Sequence, residues 1–292
     1  MKNSISLTFL AIMLSLTTFM IRGNTFAYSN KVIIPIQDDV YQDYQTFIGN
    51  RDVLAVNEFS SKYTRRDVID IIIAQQALYL GGFHAEFHLL PGKVNFRNIQ
   101  LLQAGELLLS FDTYWHTDAK TIADKLYISE PVIRNGEYFA GIYTSPTNHK
   151  VLQLKSFSDF NTLTAVSTPK WRTDWQTLQD LSLKELLRED SWVSMARMTS
   201  LQWVDFMLMP FTSTTDQSYR LESIHLIPVP NTAILLKGSR HFAISKAHPQ
   251  GKSAFTAINK GLKILRSSGT IVRAYTEAGF FIDADKYRII NQ

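Results

Sequence analysis

The chain has 292 residues, 45% hydrophobic, 12% aromatic and 19% charged, enough apolar material for a sizeable core and two lobes, and too apolar for intrinsic disorder. The formal charge is +4, and without Lys2 and Arg22 near the N-terminus 28 bases face 26 acids, a scattered and mild excess that argues against a nucleic-acid partner. There are no cysteines, which excludes disulfides, thiolate metal sites, a Cys nucleophile and a lipid-modified N-terminal Cys.

Residues 1–27 carry a basic start at Lys2, an apolar run from Ile5 to Ile21, and small residues at Thr25 and Ala27. This pattern predicts a secretory signal peptide cleaved after Ala27. Asp52–Asn57 reads as a short buried strand. Thr64–Leu80 reads as a helix, with Thr64 as its N-cap and Gly81-Gly82 as its stop. Phe83–Leu89 alternates: Phe83, Ala85, Phe87 and Leu89 share one face, and His84, Glu86 and His88 the other, as in a half-buried strand. A His-x-Glu-x-His face can chelate zinc, yet a polar outer face explains it as well and no further ligands are visible, so no metal is expected.

Phe96–Ala104 reads as a helix capped by Asn95, and Leu107–Leu109 as a buried strand opening into Ser110–Trp115. Further strands are expected over Tyr138–Tyr143 and Leu163–Ser167. Pro169 suits the first turn of a helix continuing through Leu178. Trp192–Trp203 reads as a helix and Val204–Met209 as a strand. Two strands, Ile224–Val229 and Thr232–Leu236, are separated by Pro230-Asn231. Phe255, Ile258, Leu262 and Leu265 make the apolar stripe of a helix that Gly269 ends, and Thr270 caps the next. The alternation of strands and helices predicts a mixed α/β fold with largely parallel sheets.

Four stretches, in this order, resemble extracytoplasmic solute-binding proteins of the amino-acid type (family 3), with the periplasmic-binding-protein type II fold. They are the first strand leading into Glu58-Phe59, the segment Ala123–Pro131 ending in Ser-Glu-Pro, Trp203–Leu208 with Asp205, and His241–Lys246 followed by a Pro, an amphipathic helix, Gly269 and Gly279-Phe280. The resemblance implies two α/β lobes, each a mixed sheet flanked by helices, joined by a two-strand hinge. Residues 30–141 plus 238–292 would form one lobe and 142–237 the other, with a binding cleft between them. It further implies a soluble periplasmic protein, a monomer without cofactor, that presents a small-molecule solute to an inner-membrane partner. That partner would be an ABC-transporter permease or a sensor kinase.

In amino-acid-binding members an Arg before the Ser-x-Pro segment grips the ligand carboxylate, because a guanidinium fork matches it. Here Thr113–Ile128 contains no Arg, only His116, Lys120 and Lys125. The position of the ammonium-binding Asp falls at about Pro210, and Asp205 is expected to be structural. The expected ligand is therefore not an ordinary α-amino acid. The cleft candidates are Glu58, Phe59, Asp112, Tyr114 and Trp115 in one lobe and Thr168, Lys170, Trp171, Asp174 and Phe211 in the other. Aromatic walls suit a ring, a sugar or a cationic head. The start of the helix after Thr168 offers N–H groups to an anion, whereas the pair Glu58 and Asp112 suits a cation. Trp115 and Trp171 read equally well as packing residues, Asp112 as a turn cap and Lys170 as a solvated side chain.

No Gly-x-Ser-x-Gly elbow, phosphate-binding Gly-rich loop or His-Glu-x-x-His helix is present, so no catalytic residues are assigned. The alternatives are an orphan sensor-input protein, an assembly factor using the fold as a rigid module, and a secreted dehydratase-like enzyme with Glu58 or Asp112 as its acid.

Overall fold

The structure is a computed structural model that describes residues 31–92 and 97–292. The expected leader, the Asn95 cap and the first residue of the helix expected from Phe96 lie outside the described residues. In chain order the elements are β1 (Lys31–Gln37), α1 (Asp38–Ile48), α2 (Arg66–Gly81), β2 (Glu86–Gly92), α3 (Arg97–Ala104), β3 (Tyr114–Trp115), α4 (His116–Lys120), β4 (Leu126–Ile128), β5 (Phe139–Thr144) and α5 (His149–Leu152). They continue with β6 (Thr164–Ser167), α6 (Arg172–Gln179), β7 (Glu185–Arg188), α7 (Trp192–Ser200), β8 (Met207–Pro210), β9 (Tyr219–Leu221) and β10 (Ile224–Leu235). The chain ends with β11 (Arg240–His241), β12 (Ala243–Ser245), α8 (Gly251–Ser267), α9 (Thr270–Glu277) and β13 (Arg288–Ile289).

Parallel pairing is confined to β1–β2, β6–β7 and the short β10–β13 pair among the named strands; β3–β11, β4–β12, β5–β8, β5–β10 and β9–β10 are antiparallel. The expectation of largely parallel sheets is thus corrected. Chain segments distant in sequence, such as β3 and β11, meet head to tail, and an alternation count does not report that direction.

Among the described residues the first strand is β1. Val32, Ile34 and Ile36 are buried while Lys31, Ile33 and Gln37 are exposed, the period-two pattern of a strand with one face in the core. The stretch read as the first strand, Asp52–Asn57, contains instead a 3-10 turn over Val53–Ala55, capped by the Asp52 carboxylate on Leu54 N–H, with Leu54 exposed. Leu107–Leu109 is buried as expected, but only Leu109 bridges to Ile244. Ile224–Leu235 is one strand, not two. It bends between Pro228 and Ala233, where its register on β5 shifts and Asn231 takes a positive φ.

Helix α2 ends on Gly82 in the left-handed conformation, as the glycine pair suggests, but its N-cap is Arg65 without a side-chain cap, not Thr64. The Thr64 hydroxyl instead bonds back to the Ser61 carbonyl. Gly269, not Thr270, is the N-cap of α9, and α6 begins at Arg172, three residues past Pro169. Helices α2 and α8 cross very closely. A Cβ on Gly81 would overlap the Ala257 backbone, and one on Gly261 the Ala77 backbone. That crossing buries Val68–Ala74, Ala77 and Leu78 against Ala254, Ala257, Ile258 and Leu262. A second apolar cluster forms around Tyr143, Val166, Met195, Val204, Met207, Met209 and Leu226. Strands β5 and β10 run between the two regions. No helix of the described residues is long and apolar enough to cross a membrane.

Candidate functional site

Where α2 starts, β3 pairs with β11 and brings together residues that lie far apart in sequence. The register sets Arg240 opposite Trp115 and His241 opposite Tyr114. Arg240 is buried; its Nε donates to Thr113 Oγ1 at 2.9 Å and one Nη to the Thr113 carbonyl. Its guanidinium lies 5.0 Å from the Trp115 ring centroid, and Trp115 stacks on Tyr138 at 5.2 Å with the planes 10° apart.

Arg66 opens α2 and donates to Asp67, Asp70, Asp112 and Thr113. Asp70 is fully buried and accepts from Thr113 Oγ1 at 2.8 Å and from the Tyr275 hydroxyl. Burial pushes the Asp70 carboxyl up to about 6, although Arg66 and Arg240 pull it down. Burial likewise raises the Tyr275 and Tyr138 phenols. Asp112 is half-exposed at the mouth of this cluster, 3.3 Å from Arg66 and 3.8 Å from Arg240. The oxygens of Asp67, Asp70 and Asp112 lie within 4.8 Å of one another. Arg66 already sits on all three, so the donor set is that of an ion-pair network.

The opposite wall is the start of α6. Asp174, at its third position, is half-buried. Burial pushes its carboxyl up to about 6, and the charges that pull it back are Arg240 and, more weakly, Arg66. The Asp174 charge in turn raises the Tyr138 phenol. The two walls touch directly at one rim, where Arg172 Nε lies 3.2 Å from the Asp118 carboxylate of α4. At the other rim Ser213 Oγ donates to the Ser61 carbonyl at 3.0 Å. Beside the Arg172 rim a groove of about 700 Å³ is lined by Thr117, Gln176, Lys237 and Asn291 among others.

The sequence candidates divide accordingly. Asp112, Tyr114, Trp115 and Asp174 belong to this region. Glu58 is exposed on a loop, and Phe59 is wholly buried with its N–H donating to Glu277 at 2.6 Å. Phe211 is buried against Tyr143 and Tyr287. Thr168 donates to Asp190, and Lys170 Nζ is 3.0 Å from the same carboxylate, so both serve the loop before α6. Trp171 is half-exposed at the N-cap of α6. Asp205 accepts from the N–H and hydroxyl of Thr164, a structural role. In β2 His88 contacts Glu86 at 3.0 Å, while His84, before the strand, packs on Tyr79, so the three polar residues do not converge.

No family model and no curated protein matches this sequence. Solved structures do match in fold. The periplasmic VFT2 domain of Bordetella pertussis BvgS aligns with a TM-score of 0.57 at 12% identity, covering 86% of this chain and 94% of that one. The amino-acid ABC transporter substrate-binding protein AbpA of Streptococcus pneumoniae, bound to L-arginine, gives 0.53 at 14% identity, with coverage of 86% and 94%. An ancestral amino-acid-binding protein described as a precursor of cyclohexadienyl dehydratase, AncCDT-1, gives 0.51 at 17% identity, with coverage of 87% and 96%. The chain therefore has the two-lobed α/β fold of type II periplasmic binding proteins.

Proposed function

We propose that this protein is an exported solute-binding protein that captures a small polar solute between its lobes and presents it to a membrane partner, a permease or a sensor. In this reading residues 30–141 and 238–292 form one lobe and 142–237 the other, the leader is removed after Ala27, and the mature protein works in the periplasm as a monomer. The observation that carries it is the facing arrangement of Arg240, Asp112 and Trp115 on one wall and Asp174 on the other. Clefts with aromatic walls and a few converging charged groups are where such folds hold small molecules.

The charges also favour one class of solute. Arg66 is occupied by Asp67 and Asp70, and Arg240 by Thr113. Asp174, and Asp112 on the side that Arg66 and Arg240 leave exposed, are then the groups best able to take a new partner, and both are acids. The α6 N-terminus already carries the Asp174 carboxylate, which leaves less room there for an anion. A solute whose cationic group reaches Asp174 and the exposed side of Asp112 satisfies these groups together, while the Trp115 ring is already covered by Tyr138 and Arg240. It differs from an ordinary α-amino acid because no Arg lies in 113–128 and Pro210 stands where an ammonium partner is expected.

The test is a thermal-shift screen of residues 28–292 with polyamines, quaternary amines, guanidino compounds, sugars, aromatic acids and amino acids. A solute at about a thousand times its Kd adds about 4 kcal/mol of stability. The expected hits are cationic, and Asp174→Asn and Asp112→Asn weaken them. A panel without any hit on well-folded protein overturns solute capture. Hits confined to anions keep solute capture and overturn the cationic class.

A further inference from the structure

The C-terminal segment leaves α9 within the α2–α8 region, where Phe280 packs on Tyr138 and Tyr275. It then runs across β5 and β10, which the proposed lobe division makes the hinge strands. Ile282, Ala284, Tyr287 and Ile289 cover an apolar cluster made of Phe139 from β5, Ala233 and Leu235 from β10, and Phe211. Strand β13 pairs in parallel with Thr232 and Ala233 of β10, and Ile290 N–H donates to the Ala233 carbonyl at 3.1 Å. Asn291 makes both hydrogen bonds to the Leu235 backbone at 2.9 Å.

The segment also grips the region beyond the hinge. Both Nη groups of Arg288 donate at 2.6 Å, one to the Leu154 carbonyl and one to the Lys155 carbonyl. These carbonyls follow α5. Tyr287 and Gln217 exchange side-chain hydrogen bonds at 3.0 and 3.2 Å, and Gln217 belongs to the loop before β9. One short segment is thus rooted in one side of the molecule and bonded to the other by a guanidinium fork, an amide–phenol pair and an apolar seam.

We propose that residues 282–291 act as a strap, a third connection between the lobes beside β5 and β10, that restricts hinge opening. Opening about two strands requires only a few residues to change φ and ψ. With the strap in place, the same rotation has to break the Arg288 fork and the Tyr287–Gln217 pair or drag the segment off the Phe139–Leu235 seam. The strap thereby raises the population of the closed arrangement before any solute binds, and that population scales the apparent affinity of whatever solute the cleft takes. The inference concerns the unliganded chain and does not depend on the identity of the solute.

The absence of cysteines allows a clean test. Spin labels are placed through Lys252→Cys on α8 and Arg197→Cys on α7, both exposed, in the whole mature chain without ligand. Electron–electron distance measurements are then compared with and without Arg288→Gln, which removes the fork and leaves the apolar seam. The expected result is one narrow distance for the parent and a second, longer population in Arg288→Gln. Gln217→Ala, which breaks the contact on the other side of the segment, is expected to give the same longer population. If Arg288→Gln does not fold, Gln217→Ala alone decides. A parent that already samples the long distance, or folded variants with the parent's distribution, overturns the strap.

Discussion

Replacing Asp70 by Asn changes one buried charge and should change the pH dependence of stability in a calculable way. The folded protein holds this carboxyl at about 6 against an ordinary value of 3.8, chiefly because it is wholly buried under Arg66, Thr113 and Tyr275. A raised acid binds its proton more tightly in the folded state than in the unfolded one. Its stabilising contribution is complete below the unfolded value and is lost as pH rises through about 6. A shift of about two units corresponds to roughly 3 kcal/mol. At about 2–4 °C per kcal/mol for a chain of this size, the melting temperature of the parent should lose roughly 5–10 °C relative to Asp70→Asn between pH 4 and pH 7. Other groups titrate in the same window. Burial lowers His241, so its contribution has the opposite sign and is lost as pH falls below the ordinary 6.5. Taking parent minus variant at each pH cancels such terms. Parallel melting curves for the two proteins from pH 4 to pH 7 would show that Asp70 keeps an ordinary carboxylate value, and the reading of the Arg66 network would fail with it.

Gly261→Ala drives a methyl into the Ala77 backbone at the α2–α8 crossing. It should destabilise by about 1–3 kcal/mol or more, as overpacking does, read by denaturant midpoint; a cost below about 1 kcal/mol would mean that the helices can part freely. Asp118→Arg places like charges at the Arg172 rim and should weaken binding of a screened solute modestly. Adding Arg172→Asp should restore it, the effect fading in high salt because the pair is partly exposed. If the double variant binds no better than the single one, the rim pair does not hold the walls together. Asp205→Ala removes the acceptor of the Thr164 N–H and should lower the melting temperature without altering which solutes bind; a change in solute preference would give Asp205 a place in the site.

Several parts of the architecture were legible because they are local. The stripe Val68, Ile71, Ile72 followed by two glycines places α2 within two residues at its start and one at its end, and the alternation at Phe83–Leu89 finds most of β2. The order of such elements, more than any one of them, matches the fold. β1 was missed because KVIIPIQ lies only three residues past the expected leader and contains Pro35, a residue that counts against a strand unless it lies at an edge or bulge. Arg66 and Arg240 were missed for a different reason. Their guanidinium groups share Thr113 as acceptor because α2 begins where β3 pairs with β11. The three residues are far apart in the chain, and no spacing rule links them. Asp112, Trp115 and Asp174 were visible as residues of the right kind in cleft-facing loops. Which partners each one has was not visible.

That difference between residue type and partner changes the chemistry read from this cleft. Read alone, the stretch Thr113–Ile128 lacks the arginine that would anchor a carboxylate and offers only His116, Lys120 and Lys125 as cations. The fold supplies two arginines from elsewhere and at once engages their N–H groups. Arg66 meets three carboxylates, and Arg240 is tied to Thr113 and lies over Trp115. A guanidinium held in this way has fewer free N–H groups for a ligand, while it still rigidifies the wall that carries Trp115. Across the gap Asp174 is desolvated, and its largest opposing charge is Arg240, which is already bonded elsewhere. A carboxylate in that position is stabilised more by a new positive group than by water it has partly lost. The same burial that lifts Asp174 to about 6 means that a bound cation must lower it again, so binding of a cationic solute should release protons near pH 6. Titration calorimetry in buffers of different ionisation enthalpy measures that release directly. Proton uptake, or no linkage at all in a binding solute, would place the cation away from Asp174.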